Sequence, residues 1–391
     1  MKVAVLTHVG FPEGLAPTNR VFYHTKGLID NGVEAKVIVV KPTETKDNSK
    51  NTEAEGEYKG VPFMYSLGKA ARSSYYLQRR IDDIYGPVKS ALYVKKNKYD
   101  AAMLISSNSF YQPMLFKIMF RIFRIKFIAE RTELMFHNKK NYGIFKLKNK
   151  IYEQIIYKNI DAFLAISYSL QEKYRELVSP RSPVILIPVI VDDKDIFRTE
   201  VPRTRNLVYT GPLVQKKDGI LIIIEAFTKI AEKFPDTNLI LTGNLDKTPD
   251  KDNILKLLEN NPYRQRMIFK GFVTRTEMIE LLNSAAGLLL AKPLSDQADN
   301  CFPTKLGEYL STKNPIVVTK TGEIPLYLED GVSAYIAEPS SVDSFADKLN
   351  ELLSDPKKAA KIGEKGRNVA VENFNYIEIS KRVIETFNNI K

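Results

Sequence analysis

Short apolar runs and amphipathic stretches take turns along the chain. Residues 2–7 form a compact, β-branched-rich run that stops before Gly10, which suits a strand buried on both faces. A loop containing Gly and Pro follows over 10–17. Residues 18–30 then place Val21, Leu28 and Ile29 on the inward side of a helix, and 34–40 return to a strand pattern. A strand, a helix and a strand joined by short links predict a parallel βαβ unit. The stretch 46–57 is polar and reads as a surface loop. Further strands are predicted over 62–65, 101–105, 126–129, 162–166 and 184–187, with helical segments between most of them.

The pattern breaks over 188–205, where Pro188, Pro202 and clustered charges predict a linker. It then restarts. Strands are predicted at 206–209, 238–242, 267–269, 287–291 and 316–319, and helices at 219–233, 275–284 and 305–311. From 341 onward the chain reads as helical, with breaks near Pro356 and Asn375. The fold class is therefore α/β, with two doubly wound Rossmann-like domains facing across a cleft. Ligands are expected in that cleft, at the C-terminal ends of the strands. No repeat of solenoid length is visible.

A length of 391 residues suits two domains and a large core. The single cysteine, Cys301, excludes an internal disulfide framework and a Cys-based zinc cluster, and fits a reducing, cytoplasmic setting. No secretory signal is read at the start. No apolar run is long enough to span a bilayer; the nearest, 113–129, is interrupted by Lys117, Arg121, Arg124 and Lys126.

With 58 Lys/Arg against 46 Asp/Glu, the formal charge is +12. Much of the excess lies over 111–158, which holds eleven Lys/Arg and three acids. There Phe116, Met119, Phe120 and Phe123 interleave with the first cations at helical spacing. Two readings fit: a core-facing helix with a solvated basic face, or a peripheral contact with an anionic membrane surface. Nucleic acid is not an expected partner, since no aromatic RNA-binding signature, zinc finger or helix-turn-helix is present.

Two segments of the second half carry candidate chemistry. In Cys301-Phe-Pro-Thr-Lys-Leu-Gly-Glu-Tyr-Leu310, Pro303 and Thr304 are helix-start residues, with Thr304 a possible cap. The free N–H groups of a helix start suit a phosphate, and Lys305 adds a cation. Glu308 lies one turn deeper on the same face and can accept hydrogen bonds from a ribose diol. The alternative is an ordinary capped helix with a solvated Glu308. In Leu207-Val-Tyr-Thr-Gly-Pro-Leu-Val-Gln-Lys-Lys-Asp-Gly219, a strand ends at Gly211 and a loop follows in which Lys216 or Lys217 can neutralise a diphosphate. It is not a P-loop, because the GxxxxGK[ST] pattern is missing. The alternative is a βα turn with solvated lysines.

The order of these motifs carries a resemblance. Thr210-Gly-Pro-Leu213, Lys216-Lys-Asp-Gly219, Glu225-Ala-Phe227, Leu241-Thr-Gly243, Phe302 to Leu310, Pro315-Ile-Val-Val318 and Gly322-Glu-Ile324 resemble a retaining family 4 glycosyltransferase (glycosyltransferase group 1) of the GT-B fold. Gly14-Leu-Ala-Pro-Thr-Asn-Arg20, Lys26-Gly-Leu28 and Ile187-Pro-Val-Ile-Val-Asp192 are also similar to that family. The resemblance implies an acceptor-side domain over 1–188, a linker over 189–205 and a nucleotide-sugar-binding domain over 206–372. It also implies a terminal helix over 373–391 that crosses back to the first domain. The implied donor is a nucleotide-diphosphate sugar, UDP before GDP, and the implied acceptor a glycan or lipid-linked sugar in cell-envelope synthesis.

By motif position, Lys217 meets the diphosphate, with Lys216 its competitor. Gly211, Gly243, Thr304, Lys305 and Leu306 line the donor site, and Glu308 holds the ribose. The loop containing Gly14 approaches the sugar phosphate, with Arg20 the nearby cation. Glu130 stands where many relatives carry a sugar-contacting His, so Glu130 and Lys217 are the expected catalytic residues. The sequence departs from the family at Asn300, where many relatives have the first Glu of Glu-x7-Glu, and at Pro212, where many have Arg. Asn300 can still hydrogen-bond sugar hydroxyls.

The implied chemistry is front-face transfer with retention, in which lysines and the helix start stabilise the leaving diphosphate. A covalent route would need Glu130 or Glu133 beneath the anomeric carbon. No metal or cofactor is expected: Asp193-Lys-Asp195 and Asp250-Lys-Asp252 match DxD but fall in the linker and in a polar loop, and His8, His24 and His137 show no ligand spacing. His8 ends the first strand and reads as structural or cleft-facing. Two other classes remain open: a GT-B nucleotide-sugar epimerase or hydrolase, and an inactive glycan-binding homologue.

Overall fold

The computed structural model of the chain describes residues 1–14, 16–45, 49–105, 112–132, 160–295, 298 and 302–390. Asn300, Cys301, and all of the basic stretch beyond Thr132, with Glu133 and His137, lie outside the described residues. The chain divides into two units, Met1–Ile190 with Tyr376–Lys391, and Val191–Asn375.

The first unit holds β1 (Lys2–Thr7), α1 (Ala16–Asp30), β2 (Glu34–Val39), β3 (Glu55–Tyr58), β4 (Val61–Tyr65), α2 (Tyr76–Lys96), β5 (Ala101–Ile105), α3 (Gln112–Phe123), β6 (Lys126–Arg131), β7 (Ala162–Ala165), α4 (Tyr168–Leu177) and β8 (Val184–Leu186). Its sheet runs β3-β4-β2-β1-β5-β6-β7-β8. All neighbours are parallel except β3 and β4. Strands β1, β5 and β7 are almost wholly buried, which explains their unbroken apolar runs.

Strand β3 corrects the reading of 46–57 as loop throughout. It is an edge strand whose Glu55 and Glu57 face solvent, and an edge exposed in this way shows no apolar signal. In α3, Phe116 and Phe120 stack at 5.5 Å and point at Phe127 of β6. Phe116 and Phe120, two of the aromatics that interleave with the cations, are therefore core, while Phe123 is half-buried.

The second unit holds α5 (Asp193–Ile196), β9 (Leu207–Tyr209), α6 (Gln215–Asp218), α7 (Ile220–Ile230), β10 (Leu239–Thr242), α8 (Lys251–Glu259), β11 (Met267–Gly271), α9 (Arg275–Ser284), β12 (Gly287–Leu290), α10 (Lys305–Ser311), β13 (Ile316–Thr319), α11 (Ile324–Tyr327), β14 (Tyr335–Ala337), α12 (Val342–Ser354) and α13 (Pro356–Phe374). Its parallel sheet runs β11-β10-β9-β12-β13-β14. Strand β14 went unread because three residues carry no period. The helix expected over 219–233 is α7, and the preceding stretch read as a loop holds the short α6; Gly219 separates the two with a φ of +69°, in the left-handed region. Much of the expected linker is folded onto this unit. Asp192 caps α5, Arg367 binds Asp193 at 2.8 Å, and Asn283 holds both the Ile196 carbonyl and the Arg198 amide.

Helix α14 (Tyr376–Asn389) belongs to the first unit. Its Ile379, Val383 and Phe387 join that unit's core. Gly27 of α1 makes the approach possible, since a Cβ there would lie 2.0 Å from Ser380 Oγ and 2.7 Å from the Tyr376 carbonyl. Asn31 and Asp30 fix the contact through the Ile377 carbonyl and the Tyr376 hydroxyl.

Candidate functional site

In the second sheet the strand order reverses between β9 and β12. A crevice at the C-terminal ends of the strands is the usual ligand position in such a sheet. The segments after β9 and β10 lie against each other there. Gly211 has φ +133° and donates its N–H to Thr242 Oγ1 at 3.0 Å. Gly243 has φ +106°, and a Cβ on it would meet the Gly211 carbonyl oxygen at 2.2 Å. A Cβ on Gly211 would meet Lys305 Nζ at 2.2 Å. These glycines are needed so that backbone and ammonium can crowd together.

Lys305, the first residue of α10, donates to Asp218 Oδ2 at 2.7 Å and to the Tyr209 hydroxyl at 3.1 Å, and its ammonium lies 4.5 Å from the Tyr209 ring centroid. Tyr209 has one hydroxyl proton, shared between Asp218 Oδ2 at 2.8 Å and the Pro212 carbonyl at 2.6 Å. Burial lowers the Lys305 ammonium; Asp218 opposes this, and Lys217 adds to it. Lys217 therefore stands near enough to act on Lys305. Both lysines of α6 are exposed. Burial, then Asp218, pushes the Tyr209 phenol well above its ordinary range.

Three expectations about α10 change. Thr304 makes no side-chain cap bond and is itself helical in conformation. The Leu306 N–H is spent on the Pro303 carbonyl at 3.0 Å, and its side chain is core. Lys305 is not a bare cation, because Asp218 balances it; an ammonium has three donors, and two are used here. Glu308 is held by Arg275, whose Nη1 reaches Oε1 at 2.6 Å. Arg275 also lies 3.8 Å from Asp195.

In the first unit the structure joins Arg20, His24 and Glu130. Glu130 Oε1 accepts from Arg20 Nε at 3.0 Å, Arg20 Nη2 at 2.6 Å and His24 Nε2 at 2.8 Å. Arg20 also donates to the carbonyls of Ile187 and Pro188. All three side chains are buried. Burial raises the Glu130 carboxyl, but Arg20 and then His24 outweigh it, and it falls to about 2. Burial lowers His24 against the pull of Glu130. The imidazole is therefore neutral near pH 7, with its Nε2 proton on Glu130.

Arg20 is thus spent on protein groups, and Glu130 is a buried counter-ion. This replaces their expected contact with the donor by a clamp joining α1, β6 and the 187–188 segment. Gly14 is exposed, just before α1, where a Cβ would lie 1.9 Å from Thr18 Oγ1. His8 is lowered to about 3, chiefly by burial and then by Lys41.

Sequence reasoning passed over Tyr209, Asp218, Tyr309 and Arg275. Asp218 sat inside the Lys216-Lys-Asp-Gly219 motif, and its place between two lysines and a glycine was the available signal. Tyr309 accepts the Thr210 N–H at 2.9 Å, four residues along from Lys305 on the same helix. The first Asp of each DxD pair is held by protein. Asp193 pairs with Arg367, and Asp250, in the turn just before α8, accepts the Gln215 N–H at 2.8 Å. Among the described residues no group of three His, Cys, Asp or Glu gathers as a metal site.

Two doubly wound, mainly parallel-sheet units, the second with Gly211, Gly243, Asp218 and Lys305 gathered at its switch point, define a GT-B fold. Solved structures similar over the whole chain agree. Sucrose-phosphate synthase from Thermosynechococcus elongatus superposes with a TM-score of 0.72 at 15% identity, over 99% of this chain and 98% of that one. Anabaena HepE, solved with UDP and glucose, gives 0.70 at 15% identity over 99% of each. Residues 191–369, nearly all of the second unit, match the model for glycosyl transferases group 1. N-acetyl-alpha-D-glucosaminyl L-malate synthase of Bacillus anthracis is 25% identical over 240 residues, which span 59% of this chain and 59% of that protein.

Proposed function

We propose that the chain is a retaining glycosyltransferase that takes a sugar from a nucleotide-diphosphate sugar, UDP before GDP, and passes it to a glycan or lipid-linked acceptor in cell-envelope synthesis on the cytoplasmic side. The observation that carries this reading is the cluster of Lys305, Asp218, Tyr209 and Gly211 at the switch point of the second sheet, with Glu308 one turn further along α10. The match of the second unit to the glycosyl transferases group 1 model and a similar structure solved with UDP and glucose support the donor class.

In this reading Glu308, oriented by Arg275, accepts the ribose hydroxyls. The remaining Lys305 proton and the Lys217 ammonium face the diphosphate. As the bond from the anomeric carbon to the leaving phosphate breaks, negative charge grows on the diphosphate, and these cations stabilise it without a metal. The leaving phosphate takes the acceptor's proton on the same face of the sugar, so configuration is retained. Arg20 and Glu130 serve the fold and not the sugar.

Calorimetry with UDP tests this. Lys217→Ala should weaken binding roughly tenfold, as expected for one charge-assisted contact of about 1.5 kcal/mol. Lys216→Ala should leave binding within about twofold. Glu308→Gln should weaken UDP more than it weakens pyrophosphate. Equal effects of the two lysine changes would remove the preference for Lys217 over Lys216. A parent protein that binds neither UDP nor GDP would overturn the reading. Turnover of donor to a sugar isomer would assign the chain to epimerases, and binding without turnover to inactive homologues.

A further inference from the structure

Helix α2 is apolar on two faces. One packs on the first sheet through Gly86, Pro87, Ser90, Ala91 and Val94. The approach is close enough that a Cβ on Gly86 would lie 2.0 Å from the Val40 carbonyl oxygen. The opposite face carries Leu77, Ile81, Ile84, Tyr85 and Leu92, all exposed, with Leu77 at 71% and Ile84 at 61%. Their spacing of four, three, one and seven residues is that of one helical stripe. A stripe of this kind normally faces a core, and here it faces out.

Helix α3 extends the patch. Gln112 Nε2 binds the Asp83 carbonyl at 3.0 Å near one end, and the Lys95 ammonium lies 4.4 Å from the Phe123 ring centroid near the other. The two helices therefore run side by side in the same direction. With Phe116 and Phe120 turned inward, α3 leaves Ile118 and Ile122 outward, at 48% and 70% exposure. An exposed apolar surface of this extent marks an interaction site.

Its borders are basic. Arg79, Arg80, Lys89, Lys95, Lys96, Lys117, Arg121 and Arg124 lie on the same two helices or directly after them. The acids of α2 are Asp82, which is buried, and Asp83, which is paired with Lys41 and Arg80. Lys117 is lowered by burial and then by Arg121, so the cations crowd one another.

We propose that the outward faces of α2 and α3 form a docking surface for an anionic lipid bilayer. The apolar stripe enters the headgroup boundary and the cations meet lipid phosphates. No described helix is long and apolar enough to cross a membrane, so the contact lies in the plane of the interface. A second copy of the chain fits less well, because self-association through this face would press like charges together. The surface differs from the aromatic one suggested by the sequence. It stands without the sugar-transfer reading, since it uses no residue of the second unit.

The test is cosedimentation of the full chain with phosphatidylcholine vesicles, with and without phosphatidylglycerol. The parent should bind the anionic vesicles and release them as salt rises. The double change Leu77→Glu with Ile84→Glu should abolish binding. Each of Arg79→Gln, Lys89→Gln and Arg121→Gln should weaken it roughly fivefold. Leu77 and Ile84 point outward, so the melting temperature should match the parent's. A parent that ignores anionic vesicles, or a double variant that binds as the parent does, overturns the proposal. A dimer that the double change disrupts, with no vesicle binding, would give the face to a second copy and also overturn it.

Discussion

Lys305→Met should lower the melting temperature by roughly 6–20 °C, and Asp218→Asn in the same chain should recover most of that loss. The first change strands a carboxylate that is 5% exposed and holds the Tyr209 hydroxyl. Removing one partner of a buried ion pair costs about 3–5 kcal/mol. For a unit of this size each kcal/mol moves the midpoint roughly 2–4 °C. The second change removes the orphaned charge while keeping an acceptor for Tyr209, and replacing both members of such a pair is often nearly neutral. Nucleotide binding should not follow stability: calorimetry on the double variant should still show UDP weakened at least roughly tenfold, since a charge-assisted contact is gone. A melting shift under about 2 °C for the single change would show that the pair does not hold the crevice together. Restored UDP affinity in the double variant would remove Lys305 from the donor site.

Glu130→Gln should cost about 3–5 kcal/mol at pH 7, because it leaves the Arg20 guanidinium buried without its counter-charge. The effect should depend on pH in a defined direction. The folded carboxyl sits at about 2, below the ordinary 4.5. Its contribution is therefore whole above pH 4.5 and is lost as the pH falls towards 2. The gap between parent and variant in urea unfolding should be constant from pH 7 to 5 and shrink below 4.5. His24 and His8 act in the same sense from a higher pH. Both are lowered in the folded chain, so acid begins to favour the unfolded state below their ordinary 6.5. A gap that widens on acidification would show that Glu130 is not the ionised partner of Arg20.

The strands that go deepest into each sheet were legible because burial on both faces writes itself as an unbroken apolar run. β1, β5, β12 and β13 are of this kind. The elements that escaped were those whose residues face water or are too few to show a period, namely β3 and β14. The candidate site was legible in part for a related reason. Glycines at 211 and 243 and lysines at 216, 217 and 305 announce backbone crowding and charge by their type alone. Which acid neutralises which cation is a three-dimensional fact. Asp218 meets Lys305 across 87 residues of sequence, and Glu130 meets Arg20 across 110. Arg20 and Glu130 look like free charges in a string of letters and are a closed pair in space.

The return of α14 sets the order in which the chain can finish folding during synthesis. Everything the second unit needs has been made once Asn375 is joined, and Val191 then has the Phe374 carbonyl to bind at 2.9 Å. The first unit, although its β1 leaves the ribosome before any strand of the second, waits for Ile379, Val383 and Phe387 to cover α1. The half that starts first is completed last, and until then the side of α1 around Gly27 has only nascent chain or a chaperone to shield it from water.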